Sequence, residues 1–174
     1  MNLYWRLFMI RLKAWLGKKL KPMDESRIRL RIYPNDLDTY FHVNNGRYLT
    51  LMDLGRMDLF MRAGILGKMK PKRWRFFLGS STIRFRRSLK MFQSFELRTR
   101  IVCWTDKWLL VEQKFIRHES VVAAGYIKGV FYGAKGSISM EEALGVIQPG
   151  QISPPVPESI AWWLKSESFH RVTL

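Results

Sequence analysis

From Gly46 to Ala63 the chain reads as one helix whose apolar side chains cover most of its circumference. Tyr48, Leu49, Leu51, Met52, Leu54, Met57, Leu59, Phe60 and Met61 supply that surface, with Gly55 as the only weak interior break. A helix apolar nearly all round has no face to turn to water, so it belongs inside a fold. Asn44 or Asn45 is its natural N-cap, because a short side-chain oxygen accepts from the first free backbone amides. Asp38 and His42 stand just ahead of that N-terminus, where free N–H groups and the helix dipole favour negative charge.

The segments around the helix have a different period. Arg27, Arg29, Arg31 and Tyr33 alternate with Ile28, Leu30 and Ile32, the pattern of a half-buried strand. Gly64 and Gly67 offer the left-handed backbone that ends a helix, and residues 68–75 form a basic linker containing Pro71. Four strand-like segments follow, Phe76–Leu89, Phe95–Trp104, Trp108–His118 and Val121–Tyr132, rich in aromatic and β-branched residues. The gaps 90–94, 105–107 and 119–120 have hairpin lengths. In the second segment Phe95, Leu97, Thr99, Ile101 and Cys103 are expected on one face. Ser139 with Glu142 three residues on predicts one more short, capped helix. A strand, a buried helix and an antiparallel set of strands make an α+β fold.

At 174 residues and 47% hydrophobic, the chain suits one packed domain. The divisions expected are a basic aromatic segment over 1–22, the main domain over 23–148, and a Pro-rich tail over 149–174 that carries tryptophans. One cysteine, Cys103, excludes an internal disulfide and a cysteine metal cluster, and fits a reducing, cytoplasmic setting. The net charge of +16 favours anionic partners: phospholipid headgroups, coenzyme A phosphates, an acidic carrier protein or nucleic acid. Residues 1–20 are too interrupted by charge to span a bilayer and lack the pattern of a signal peptide. Arg11 and Lys18 fall on one side of a helical wheel, Arg6 and Lys13 nearly opposite. Two readings stay open for this segment: a peripheral anchor at an anionic membrane face, or a helix packed across the domain.

The run Asp36-Leu37-Asp38, then His42-Val43-Asn44-Asn45-Gly46-Arg47-Tyr48-Leu49, resembles the signature of hotdog-fold thioesterases of the 4-hydroxybenzoyl-CoA thioesterase type. Arg86-Arg87-Ser88-Leu89, the run Phe95 to Arg100, and Trp104 extend the likeness towards thioesterase superfamily member six-like proteins. It covers roughly residues 27–133. The resemblance implies a hotdog fold, an antiparallel sheet wrapped around a long central helix. It also implies homodimers pairing sheets edge to edge, or dimers of dimers, and an acyl-CoA or acyl-carrier-protein thioester as substrate. Asp38 then occupies the catalytic carboxylate position and Asp36 is the first acid of the pair. His42 has the spacing of plant acyl-carrier thioesterases, whose pattern is Asp-x-Asn-x-His; here Tyr40 stands in the asparagine's place.

Thioester hydrolysis needs an attacking oxygen and stabilisation of a tetrahedral oxyanion. A carboxylate ahead of a helix supplies the first, as nucleophile or as base for water; helix-start amides supply the second. For Asp38 the competing reading is a loop acid that holds a turn through its own backbone. For His42 it is a loop-fixing role. Asn44, Asn45 and Gly46 are candidate substrate contacts, with capping as the simpler role of the asparagines. Arg84, Arg86 and Arg87 are candidates for coenzyme A phosphates, or else a solvated strand face. Asp53 and Arg56 have ion-pair spacing with a structural role expected. His42, His118 and His170 lack ligand spacing, so no metal is expected, and no cofactor motif appears. No RNA-binding signature supports nucleic acid as a partner. A second class of function remains, a non-catalytic acyl- or lipid-binding protein with the same fold.

Overall fold

The computed structural model describes residues 2–169. In chain order it contains α1 (Asn2–Leu16), β1 (Ser26–Arg31), a 3-10 turn (Pro34–Asp36), α2 (Asn45–Arg62), α3 (Ile65–Met69), β2 (Arg75–Phe85) and β3 (Ser94–Trp104). There follow β4 (Leu109–Arg117), β5 (Ser120–Gly133), β6 (Gly136–Ile138), α4 (Met140–Ile147) and α5 (Glu158–Phe169). His170 lies outside the described residues.

The apolar helix forms where its pattern places it. Asn44 is the cap, its side chain accepting from the Gly46 amide, and Gly64 stops the helix with a φ of 72°. Gly67 does not help to end it; that residue sits inside the separate short α3. The strands are all antiparallel in the order β1-β3-β4-β5-β2, with β6 added to β5. Tyr48, Leu51, Met52, Leu54, Leu59 and Phe60 of α2 share one buried core with Ile28, Leu97, Val111, Phe115, Ile127 and Phe131 of the sheet. One helix lies in the hollow of one curled sheet.

Two further local expectations differ from this outcome. Residues 90–94 are not a hairpin turn, because β2 pairs with β5 and β3 pairs with β1 and β4. A five-residue gap permits a hairpin but does not choose partners, and here it carries the chain from one edge of the sheet to the other side. Cys103 does not share the face of Phe95, Leu97, Thr99 and Ile101. The β3–β4 register shifts between Ile101 and Cys103, so the extra residue turns Cys103 outward. There it packs with Leu110 and with Ile160 of α5, while Ile101 and Trp104 stay with the main core. Burial pushes the Cys103 thiol pKa up.

Alpha-helix α5 closes this outer face. Trp163 stacks on Tyr126 at 6.5 Å between ring centroids, and Lys128 pairs with Glu167. On the inner face a polar seam joins α2 to the sheet. Gln113 donates to the Met52 carbonyl at 2.8 Å and to Thr99 Oγ1 at 3.0 Å, and accepts from Arg56 at 2.7 Å. Arg56 also pairs with Asp53, as the spacing implied. Burial lowers the Arg56 pKa, and the charge and hydrogen bond of Asp53 oppose that shift.

Gly55 is the point of closest approach in this seam. A Cβ there would stand 2.4 Å from Thr99 Oγ1 and 2.8 Å from Gln113 Nε2. Alanine is the better helix former by about 1 kcal/mol, yet overpacking at such a contact costs about 1–3 kcal/mol. Gly55→Ala is therefore expected to lower the urea midpoint of unfolding; a raised midpoint would show that the seam is loose.

Candidate active site

The loop between β1 and α2 is built by two acids with different work. Asp36 is buried, 1% exposed. Its carboxylate accepts from both terminal nitrogens of Arg6 on α1, from Nε of Arg47 at 2.9 Å, and from the Tyr33 amide at 2.9 Å. Its carbonyl accepts from the Asn44 amide at 3.0 Å. Two guanidiniums from two helices thus converge on one carboxylate; they more than offset its charge and supply its hydrogen bonds, with Arg47 partly in solvent.

Asp38 is half-buried and sits in a tight loop. Leu37 faces Val43 across an antiparallel bridge, and the Asp38 amide donates to the His42 carbonyl at 2.8 Å. Phe41, at a φ of 58°, turns the chain. Asp38 Oδ1 accepts from the amides of Tyr40 (2.9 Å) and His42 (3.2 Å). Among the described residues the carboxylate is oriented by backbone amides alone. The His42 imidazole makes no hydrogen bond among the described residues, so backbone, not side chain, links His42 to Asp38.

Asn44, Asn45 and Gly46 are exposed at the start of α2. The cap takes two amides: Gly46 N–H bonds the Asn44 side chain at 2.9 Å, and Arg47 N–H bonds the Asn44 carbonyl at 2.9 Å. Capping is thus what Asn44 does. The helix dipole still points at the loop that carries Asp38.

The basic residues after β2 return to the same end of the molecule. Arg86 and Arg87 anchor through their amides to the Val122 carbonyl, Leu89 accepts from the Val43 amide at 3.1 Å, and Lys90 bridges His42. The side chains of Arg84, Arg86 and Arg87 are exposed and pair with no acid among the described residues. Behind the loop, Tyr48 packs edge-on against Phe85 and Phe115, each at 4.9 Å. Burial raises its pKa, partly opposed by a hydrogen bond with the Leu89 backbone. An open hollow of about 570 Å³ between Trp104 and Ser153 contains neither Asp38 nor His42; it lies at the far end of β3. Among the described residues no group of His, Cys, Asp and Glu could hold a metal.

The family model of the thioesterase-like superfamily matches residues 32–164. The chain belongs to that superfamily. It is 34% identical to Protein THEM6 of Xenopus laevis over 77% of this chain and 64% of that protein. With Protein THEM6 of Danio rerio the identity is 31%, over 81% and 69%. The chain therefore spans about two thirds of the length of these relatives. Among solved structures, a gentisyl-coenzyme A thioesterase superposes with a TM-score of 0.63 at 23% identity, covering 70% of this chain and all of that one. The likeness establishes the hotdog fold, and superfamily membership supports a thioesterase function.

Arg6 and Arg47 are the residues that sequence reasoning missed here. Arg47 lay in view inside the signature itself. Nothing in the sequence pointed Arg6 at Asp36, thirty positions away. Removing one partner from such a buried pair costs about 3–5 kcal/mol. Arg6→Ala and Asp36→Asn are each expected to destabilise by that order in chemical denaturation. Asp38→Asn, which keeps an oxygen for the Tyr40 and His42 amides, is expected to stay within about 1 kcal/mol of the parent. Equal stability of all three variants would contradict the division between the acids.

Proposed function

We propose that this protein hydrolyses acyl thioesters and that Asp38 is its catalytic carboxylate. The observation that carries this reading is the half-buried Asp38 carboxylate, fixed by two backbone amides at the mouth of the buried helix. The carboxylate either attacks the thioester carbonyl or takes the proton of a water that does. By direct attack the carboxylate forms an acyl–Asp38 anhydride as the C–S bond breaks, and one water then cleaves that anhydride to restore Asp38. By base catalysis the water itself attacks and the C–S bond breaks; either course consumes one water and yields a carboxylic acid and a protonated thiol. The positive end of the α2 dipole stabilises the oxyanion. His42 acts as a secondary participant beside the reacting carbon.

Acyl-CoA is the substrate that suits the basic turn, with Arg84, Arg86 and Arg87 on its phosphates; an acidic acyl-carrier protein would use the same charges. The protein acts as a homodimer in a cytoplasmic setting. The sheet has β2 at one edge, eleven residues long, with Phe77, Leu78 and Phe85 exposed. An open edge of that length and character is a template for pairing with a second chain.

The alternative, a non-catalytic acyl-binding protein, draws on one specific fact. Asp38 Oδ1 spends both its contacts on its own turn, as a structural loop acid does.

A panel of acyl-CoAs of graded chain length, read by free-thiol release, separates the two. Cys103 is buried with its pKa raised, so the native protein contributes little thiol background. Wild type is expected to turn over at least one chain-length class, and Asp38→Asn to lose about 100-fold or more in kcat with melting temperature unchanged. Equal turnover by both proteins would remove Asp38 from the chemistry, and no turnover with tight acyl-CoA binding would leave the binding alternative standing.

A further inference from the structure

Helix α1 has two apolar faces, and the domain covers only one. Its inner face carries Leu3, Leu7, Ile10 and Ala14 against the core, with Arg6 reaching Asp36. Its outer face carries Tyr4, Trp5, Phe8, Leu12, Trp15 and Leu16 in solvent, with Trp5 63% and Trp15 70% exposed. At 100° per residue these six fill an arc of about 120° containing no polar residue. Arg11 flanks the arc on one side and Lys13, beyond Met9, on the other. Trp5 and Phe8 stack at 5.7 Å, so part of the surface is already ordered.

We propose that this outer face is a docking surface for an anionic phospholipid leaflet. Length and charge choose the occupant. No described helix is long and apolar enough to cross a membrane, whereas a fifteen-residue helix lying flat needs only one apolar face. Residues 1–23 carry six cations, Arg6, Arg11, Lys13, Lys18, Lys19 and Lys21, and no acid. Five of the six are exposed, Arg6 being paired with Asp36. Tryptophan and tyrosine at headgroup depth with snorkelling Lys and Arg around them is the chemistry of an interfacial helix. A second copy on the same face would set these cations against their equivalents, which disfavours self-association there. Because Arg6 ties the inner face of α1 to Asp36, docking holds the loop of Asp38 behind the helix, one helix diameter (~10 Å) from the lipid surface.

Deleting α1 is a poor test, since it would uncover the core and leave Asp36 without Arg6. The test uses the full chain with substitutions confined to exposed positions. Wild type, the triple variant Trp5→Ser/Phe8→Ser/Trp15→Ser and the double variant Arg11→Glu/Lys13→Glu are co-sedimented with two kinds of vesicle. One kind is phosphatidylcholine alone; the other contains phosphatidylglycerol. Melting temperature and acyl-CoA hydrolysis without lipid serve as controls and are expected to match wild type. Wild type is expected to bind the phosphatidylglycerol vesicles preferentially and to release as salt rises. The triple variant is expected to lose about 100-fold or more in affinity, and the double variant about 10-fold or more. Absence of wild-type binding to anionic vesicles, or equal binding by wild type and both variants, overturns the proposal. So does a triple variant that binds vesicles normally but loses a wild-type oligomer, which would assign the face to a second copy. Hydrolysis without lipid is scored separately, so failure of docking and failure of the catalytic reading are distinguishable.

Discussion

One buried carboxylate holds three parts of this protein together. Asp36 takes Arg6 from the first helix, Arg47 from the central helix and the amide at the end of the first strand. A carboxylate in that position is tolerable only because donors surround it, and the guanidiniums are tolerable only because it is charged. The arrangement fixes where the chain leaves β1 and where it enters α2. What lies between has little freedom: Leu37 meets Val43, Asp38 meets His42, and the turn closes at Phe41. The position of Asp38 at the mouth of the helix is thus a consequence of how Asp36 is satisfied.

Much of this was legible in the sequence because it depends on local period. The near-continuous apolarity from Tyr48 to Met61 required a buried helix, and alternation in residues 27–33 required a strand. Asn44 and Ser139 marked helix starts by side-chain chemistry, and both accept the amide bonds expected of caps. What was not legible depends on pairing and on tertiary contact. Loop length could not say that residues 90–94 cross between strands that never pair. One extra residue in β3, which no alternation reveals beforehand, moved Cys103 to the opposite face. The bonds from Gln113 to Arg56 and to the Met52 carbonyl join positions more than fifty residues apart and leave no pattern in either segment.

The first helix shows the same limit in another form. On a wheel its cations look scattered, which reads as poor amphipathicity. The structure shows that Arg6 belongs to the inside, paired with Asp36, while the remaining cations fringe an outer apolar face. Two opposed apolar faces cancel in any measure that seeks a single one. For the candidate site, the signature pointed to the loop between β1 and α2, and the contacts within that loop depend on tertiary structure. Asp36 is structural, Asn44 is a cap, and His42 touches Asp38 only through backbone. Arg84, Arg86 and Arg87 are brought to the same end of the molecule and pair with no acid among the described residues.

The central claim is that chemistry occurs where Asp38 meets the start of α2. A crystal structure with a non-hydrolysable thioether analogue of an acyl-CoA tests it most directly. The sulfur and adjoining carbon are expected within about 3.5 Å of the Asp38 carboxylate, beside the first turn of α2, with the phosphates on Arg84, Arg86 and Arg87. An analogue seated instead in the hollow between Trp104 and Ser153, with Asp38 still closed on its own turn, would contradict it.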